Sequence, residues 1–167
     1  MLFKHSQSKR RGTHAVEFAV VLPVFWMLIM GLLEMGRGFM LLHIATHAAS
    51  SGARAAIVGP DNSSADTYGQ LWTDTSARVE ADLQAAGVNL TGSNTTRGTT
   101  TVYVTPYNST TTTSVSDSTN TTQLNSGDQI RVEVGVNYAN NSWIGAWPQY
   151  IVPSSGNISG ATTLWRQ

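Results

Sequence analysis

The first candidate for chemistry is an acidic residue inside an apolar stretch. Glu17 is the only charged residue between Ala15 and Leu33, and a carboxylate in lipid is costly enough that it usually has a partner or a function. If the chain were cut after Gly12, Thr13 would become a new N-terminus and Glu17 its fifth residue. The new amine and the carboxylate would then pair between neighbouring copies. The alternative places Glu17 at the membrane interface in the first helical turn, where its negative charge would interact favourably with the helix dipole.

A second candidate is a pair of histidines. His43 and His47 are four residues apart, a spacing that places two metal ligands on one helical face. No third ligand is adjacent in the sequence, and no glutamate accompanies them as it does in the HExxH motif. We therefore expect no metal, and we interpret both as polar residues near the membrane surface.

No catalytic constellation is evident in the sequence. It contains no glycine-rich phosphate loop, nucleophile elbow or zinc-protease motif. The chain has no cysteine, and no histidine follows His47, so neither a thiol nucleophile nor a serine–histidine triad is expected. We predict that the protein is not an enzyme and uses no cofactor and no small-molecule substrate.

The charges are segregated along the chain. Four cations and no acid precede Gly12, whereas the rest of the chain carries six arginines and ten acidic residues, a net charge of −4. A basic run beside an apolar run is typical of a membrane orientation signal, which favours this interpretation over nucleic-acid binding. The positive-inside rule then predicts a cytoplasmic N-terminus and an exported C-terminal domain. The orienting residues are Lys4, Lys9, Arg10 and Arg11.

The apolar stretch from Ala15 to Leu33 has the length of a membrane span. Its 19 residues would form a helix of about 28 Å, close to the thickness of the hydrocarbon core. A core helix is an alternative, but a helix that is apolar on every face is unusual in a soluble chain of this size. A removable signal peptide cut near Ala45 to Ala49 is a second alternative, but the apolar stretch is long for the apolar region of a signal peptide.

The residues around this segment resemble the N-terminus of TadE-like proteins. The resemblance covers Arg11 to Val58, and the closing segment Gly160 to Gln167 is similar to the family's short C-terminal motif, with Gln167 where an acid is common. The residues that carry it are Arg11-Gly12, Val16 to Ala19, Leu22-Pro23, Glu34 to Arg37, Ala48-Ala49 and Gly52 to Ala56.

TadE-like proteins are pseudopilins of the Tad, or Flp-type, pilus machinery. The resemblance implies that a prepilin peptidase cuts between Gly12 and Thr13, and that Glu17 takes part in subunit assembly. It also implies a location in the bacterial inner membrane. The implied partners are the lipid bilayer, the peptidase, other pilins and Tad inner-membrane assembly proteins, with no nucleic acid. Phe18 stands where major Flp pilins usually have tyrosine, which favours a minor pilin.

The helical pattern continues beyond the membrane segment to Gly59-Pro60. Residues that recur at three- and four-residue steps form one stripe along this helix: Leu32, Met35, Phe39, Leu42, Thr46, Ala49 and Ala53. Small residues also recur at four-residue steps, as Ala45, Ala49 and Ala53, and as Ala48, Gly52 and Ala56. Such spacing permits close helix packing. It leaves open whether the partner is the chain's own domain or another copy.

The exported part predicts a second helix followed by strands. Ser64 or Asp66 would cap this helix, whose apolar stripe ends at Gly87: Tyr68, Leu71, Trp72, Thr75, Val79, Leu83 and Ala86. Alternating residues predict strands at Thr99 to Thr105 and Ile130 to Tyr138, with short ones near Tyr150 to Val152 and Ala161 to Trp165. The Thr- and Ser-rich stretch from Asn108 to Asn125 predicts an exposed loop or a long hairpin tip.

The predicted fold class is therefore α+β: a long transmembrane helix that extends into a small pilin-like domain with a second helix and an antiparallel sheet. The predicted organisation is a basic leader over residues 1–12, a helix over 13–58 and an exported domain over 59–167. Seven Asn-x-Ser/Thr sequons occur in the chain, and we attribute them to its Asn- and Thr-rich composition rather than to glycosylation.

These features favour a minor pilin or pseudopilin of a Tad pilus. The first alternative is a single-pass, membrane-anchored surface binding protein that is not processed at Gly12. The second is a membrane-tethered enzyme, which the exported domain disfavours because it lacks a recognisable base or metal cluster.

Overall fold

The computed structural model describes residues 11–58, 67–90, 100–142 and 157–167. The chain divides into two compact units, residues 1–36 and residues 37–167. Some predicted features lie outside the described residues: Lys4, Lys9 and Arg10, the helix stop at Gly59-Pro60, the caps Ser64 and Asp66, Thr99, and the short strand at Tyr150 to Val152.

The first unit contains the apolar start of a helix, α1, which runs without interruption over Arg11–Val58. Its large side chains are exposed: Val16, Phe18 and Leu28 have exposed fractions of 65%, 65% and 64%. From His14 to Val58 the helix is long and apolar enough to cross a membrane, and none of its most apolar window is buried within the protein. A core helix would bury that surface, so the exposure is consistent with a single-pass membrane anchor.

The second unit combines the end of α1 with a helix and a sheet. Helix α2 spans Tyr68–Ala85, and a single 3₁₀ turn spans Ala139–Asn141. The strands are β1 (Thr100–Thr105), β2 (Thr113–Val115), β3 (Gln129–Asn137) and β4 (Asn157–Trp165). They form an antiparallel sheet in the order β2-β1-β3-β4. The predicted α+β fold is confirmed.

The alternating strand pattern produces the core. Val102 and Val104 of β1 are fully buried, and they lie opposite Val132 and Ile130 of β3. Val134 and Val136 extend the same buried face. Because burying an aliphatic side chain contributes about 1.5–3 kcal/mol relative to leaving it exposed, this face anchors the sheet to the helices.

Small residues let α1 lie close to the rest of its unit. Ala45, Ala49 and Ala53 are fully buried. A Cβ added to Gly52 would lie 2.6 Å from Val79 Cγ2 on α2, and a Cβ added to Gly160 would collide with the backbone of Ala45 and Thr46. The small-residue pattern therefore packs against the chain's own α2 and β4.

Most of the stripe from Leu32 to Ala53 on α1 is exposed. Phe39 and Leu42 are 55% and 39% exposed, and Thr46 is exposed as well; Leu32 and Met35, in the first unit, are 71% and 61% exposed. Only its last members, Ala49 and Ala53, lie in the core. The chain's own domain therefore covers only the end of this stripe, where β4 and α2 approach α1 most closely.

Helix α2 agrees with its predicted stripe in all but one residue, because Ala86 is exposed. Thr67 caps its N-terminus by accepting a hydrogen bond from Gln70 N. At its C-terminus, Gly87 N donates to Gln84 O, and Val88 N donates to Leu83 O. Gly87 has φ +71°, so the helix ends in a Schellman motif in which glycine adopts the left-handed conformation.

The Thr-rich stretch from Asn108 to Asn125 is not a loop throughout. It contains β2, which pairs with β1 and buries Val115. Its following residues cap α2, since Tyr68 N donates to Thr122 O and Gly69 N donates to Asn120 O. Composition concealed this strand because threonine is both a good strand former and a common loop residue.

Candidate functional site

The proposed processing position lies in the first turn of α1. The backbone of Gly12 and Thr13 is helical, and α1 begins one residue earlier, at Arg11. Glu17 therefore lies beyond the first turn of this helix, which contains no acidic residue. The alternative that Glu17 serves as a first-turn acid is wrong for the uncut chain. The roles predicted for Gly12, Thr13, Glu17 and Arg11 stay predictions.

Glu17 has a partner on its own helix. Its Oε2 lies 3.3 Å from Nδ1 of His14, one helical turn earlier. The side chains are 68% and 82% exposed, and Val16 and Phe18 beside them are exposed apolar groups. Sequence reasoning missed this pair, although the i,i+3 spacing of a histidine and a glutamate indicates it. In a membrane the contact would satisfy one carboxylate oxygen before any cut creates a new amine.

At the start of the second unit, Arg37 is tied to the 3₁₀ turn. Its Nε donates a hydrogen bond to the main-chain oxygen of Asn141 over 3.1 Å. The Asn141 side chain is 5% exposed. Its Oδ1 accepts from Asn89 N at 2.7 Å, and its Nδ2 donates to Asn89 O and Asn137 O at 3.1 and 3.0 Å. Asn141 thus connects α1, the segment after α2 and the end of β3.

An open groove runs between α1 and α2 in the second unit. Its polar lining includes His47 and Arg54 of α1 and Asp74 of α2. Arg78 Nε donates to Ser51 Oγ at 2.9 Å across the two helices. The histidine pair gains no further ligand here, since no group of three or more His, Cys, Asp or Glu side chains suited to a metal ion occurs among the described residues. The groove therefore has a polar lining without a recognisable catalytic arrangement.

Asp128 is a buried carboxylate of the second unit that holds a turn in place. Asp128 is fully buried. Its Oδ1 accepts from Tyr107 N at 3.1 Å, and its Oδ2 accepts from Asn125 N at 2.9 Å. Burial raises the pKa of Tyr68 above its ordinary value, and the negative charge of Asp128 raises it further. These groups fix the turn before β3.

The comparison with known proteins concerns the same part of the chain as α1. Residues 12–54 match the TadE-like protein family. The suspected TadE resemblance is thereby confirmed, and the matching segment includes Gly12, Glu17 and Arg37. The weaker TadE-like motif at Gly160 to Gln167 lies outside the match and stays a prediction. No curated protein matches the chain, and no solved structure matches it.

Proposed function

We propose that this chain is a non-enzymatic minor pilin or pseudopilin that takes part in assembling a Tad (Flp-type) pilus or a related secretion apparatus. The observation that carries the proposal is the coincidence of the TadE-like match with an exposed apolar helix. A helix with that much exposed apolar surface needs lipid or other subunits to cover it. The helix of a pilus subunit is covered first by lipid in the membrane and then by other subunits in the assembly.

The proposed location is the bacterial inner membrane, with a cytoplasmic N-terminus and residues 59–167 exported. Lys4, Lys9, Arg10 and Arg11 support this orientation through the positive-inside rule. An alkaline phosphatase fusion after Gln167 tests it, because that reporter is active only outside the cytoplasm. Cytoplasmic placement of the reporter would contradict the topology.

The proposed mechanism separates Gly12 from Glu17. Prepilin peptidase would cut after Gly12, where the missing side chain permits close approach to the backbone. The cut frees the Thr13 amine, which then pairs with Glu17 of a neighbouring subunit in a poorly solvated setting. The pairing lowers the cost of both charges and aligns the subunits along their helices.

Mass analysis of the membrane-bound chain, together with its recovery in purified pili or pilus-machinery complexes, tests this mechanism. Gly12→Val should leave the uncut precursor in the membrane. Glu17→Ala should insert and be cut but fail to join the assembly, and Glu17→Asp should be partly defective because its carboxylate is one methylene shorter. If the wild-type chain keeps Met1 through Gly12, the unprocessed surface binding protein replaces the pseudopilin.

A further inference from the structure

Two large aromatic side chains are exposed at one end of the sheet. Outside α1, the exposed large hydrophobic side chains of the described residues are Tyr107, at 67%, and Trp165, at 61%. Trp165 ends β4, and Tyr107 follows the end of β1 by two residues. Exposed apolar groups that cluster, rather than lie singly over the surface, mark contact sites for a ligand or a partner.

A single turn holds both aromatic residues in place. Tyr107 N donates a hydrogen bond to Oδ1 of the buried Asp128 over 3.1 Å. The Tyr107 ring lies against Gly127, where an added Cβ would be 3.0 Å from it. Arg166, the residue after Trp165, donates from its N to Asp128 O and accepts from Gly127 N, both at 2.9 Å. Because the same turn fixes the main chain on both sides, a ligand that contacts the two rings loses little affinity to ordering them.

The outer face of the sheet, which is the side away from the buried core, adds polar groups beside these rings. Gln129 lies opposite Trp165 in the strand register. In the next row Arg131 lies between Tyr103 and Thr163, and its guanidinium carbon is 5.8 Å from the centre of the Tyr103 ring. Amide, guanidinium and hydroxyl groups that donate and accept hydrogen bonds therefore lie next to aromatic surface.

The charge of this surface selects among the ligands that stack on aromatic rings. Arg131 Nη2 lies 3.6 Å from Oε2 of Glu133, so these two charges on the outer face balance each other. Residues 59–167 carry four arginines and eight acidic residues, a net charge of −4. Nucleic acids also stack on aromatic side chains, but they bind to positively charged surfaces that neutralise their phosphates. Charge complementarity thus favours a neutral ligand with flat apolar faces and many hydroxyl groups, which is the chemistry of a chain of sugar rings.

We propose that the outer face of this sheet binds an uncharged polysaccharide. The rings of Tyr107 and Trp165 stack on the apolar faces of the sugar rings, and Gln129 and Arg131 form hydrogen bonds with the sugar hydroxyls. Aromatic surface combined with a few fixed polar groups is the usual composition of a ligand site. The binding goes beyond the proposed pilin function, and because it uses the second unit alone it requires no cut at Gly12.

Electrophoresis of the full chain, purified in detergent, through native gels that contain a soluble polysaccharide tests the proposal. The neutral probes are a glucan, a mannan, a galactan and a xylan, and the polyanionic probes are heparin and single-stranded DNA. We expect at least one neutral polysaccharide to retard the wild-type chain. Trp165→Ala and Tyr107→Ala should each weaken that binding about tenfold, as truncation of a central aromatic contact does. Asn157→Ala, at the opposite end of β4, is the control and should bind as wild type does.

Two further variants separate ring stacking from general apolar contact. Trp165→Phe keeps an aromatic face and should retain most of the affinity. Trp165→Leu keeps apolar surface without an aromatic ring and should lose about as much affinity as Trp165→Ala. Because Trp165 is largely exposed, all three variants should unfold at the wild-type temperature when followed by circular dichroism, which assigns the lost binding to the lost ring.

Three results would overturn the proposal. The first is that none of the four neutral polysaccharides retards the wild-type chain. The second is stronger retardation by heparin or single-stranded DNA than by any neutral polysaccharide, which would assign the face to a polyanion. The third is equal binding by wild type and by folded Trp165→Leu and Tyr107→Ala chains, which would show that the aromatic rings do not contact the ligand.

Discussion

Arg37 Nε donates a hydrogen bond to the main-chain oxygen of Asn141 over 3.1 Å, although the two residues are 104 positions apart in the chain. The contact fixes α1 to the turn that follows β3. Arg37 belongs to the TadE-like match and Asn141 does not. A residue of the matched segment therefore positions the helix against a part of the chain that lies outside the match.

Replacing Asn141 tests the importance of this connection. Asn141→Ala should lower the free energy of unfolding by about 1–3 kcal/mol, because it removes three part-buried hydrogen bonds from the Asn141 side chain to main-chain groups of Asn89 and Asn137. Thermal unfolding followed by circular dichroism measures the loss. Asn157→Ala, at an exposed strand end, is the control and should change the transition little. Equal behaviour of the two variants would show that the Asn141 network contributes no stability.

The contact of Gly160 with α1 predicts a strong effect of one methyl group. Gly160→Ala should destabilise the second unit by about 1–3 kcal/mol, because the added Cβ meets main-chain atoms that cannot rotate away. Ser159→Ala in the same strand points to the exposed face and should be close to neutral. A Gly160→Ala protein as stable as wild type would mean that α1 and β4 are less closely packed than described.

Val115 tests whether the Thr-rich stretch belongs to the folded domain. Val115→Ala should cost about 2 kcal/mol, since it removes buried methyl groups and leaves space behind them. Ser114→Ala, one residue earlier and exposed, should have little effect. Replacing residues 109–122 by a short Gly-Ser linker should be more damaging still, because it also removes the acceptors that cap α2. An unchanged melting temperature of the linker variant would restore the loop interpretation.

Tyr68 predicts a loss of stability at alkaline pH. Its folded-state pKa is raised above 10.0, first by burial and then by Asp128. The unfolded chain therefore loses the Tyr68 hydroxyl proton at a lower pH than the folded chain. The contribution of protonated Tyr68 to the free energy of unfolding is full below about pH 10 and is lost as pH rises through the folded-state pKa. Tyr68→Phe should flatten the fall of stability above pH 10 in urea unfolding. Tyr107→Phe, at an exposed tyrosine, should leave the slope as in wild type.

The contact between His14 and Glu17 predicts a role for the histidine before any cut. His14→Ala should reduce the fraction of uncut chain that inserts by about two- to threefold, since polar side-chain pairs in membranes contribute roughly 0.6 kcal/mol on average. His14→Gln keeps a hydrogen-bond donor and should insert more like wild type. Carbonate extraction measures insertion. In the Glu17→Ala background, His14→Ala should have no further effect, and an undiminished effect there would show that the two side chains act independently.

The sequence by itself determined the features that depend on local periodicity and composition. A 19-residue stretch with a single charge after a basic run predicts a membrane helix, and the alternation of Ile130, Val132, Val134 and Val136 predicts a strand with one buried face. The matched TadE-like segment was recognisable for the same reason, because its residues act within one continuous helix. Residue types at fixed steps are enough for such features.

The tertiary structure decided everything that depends on contacts between distant residues. The repeat of small residues on α1 indicated a face suited to close packing, but only the tertiary structure shows that β4, at Gly160, and α2 occupy that face. Strand β2 forms because β1 offers an edge for Thr113 to Val115, and the same residues elsewhere would suit a loop. The position of Asn141 likewise follows from the meeting of three segments, since a buried amide is stable only where its hydrogen-bond partners converge.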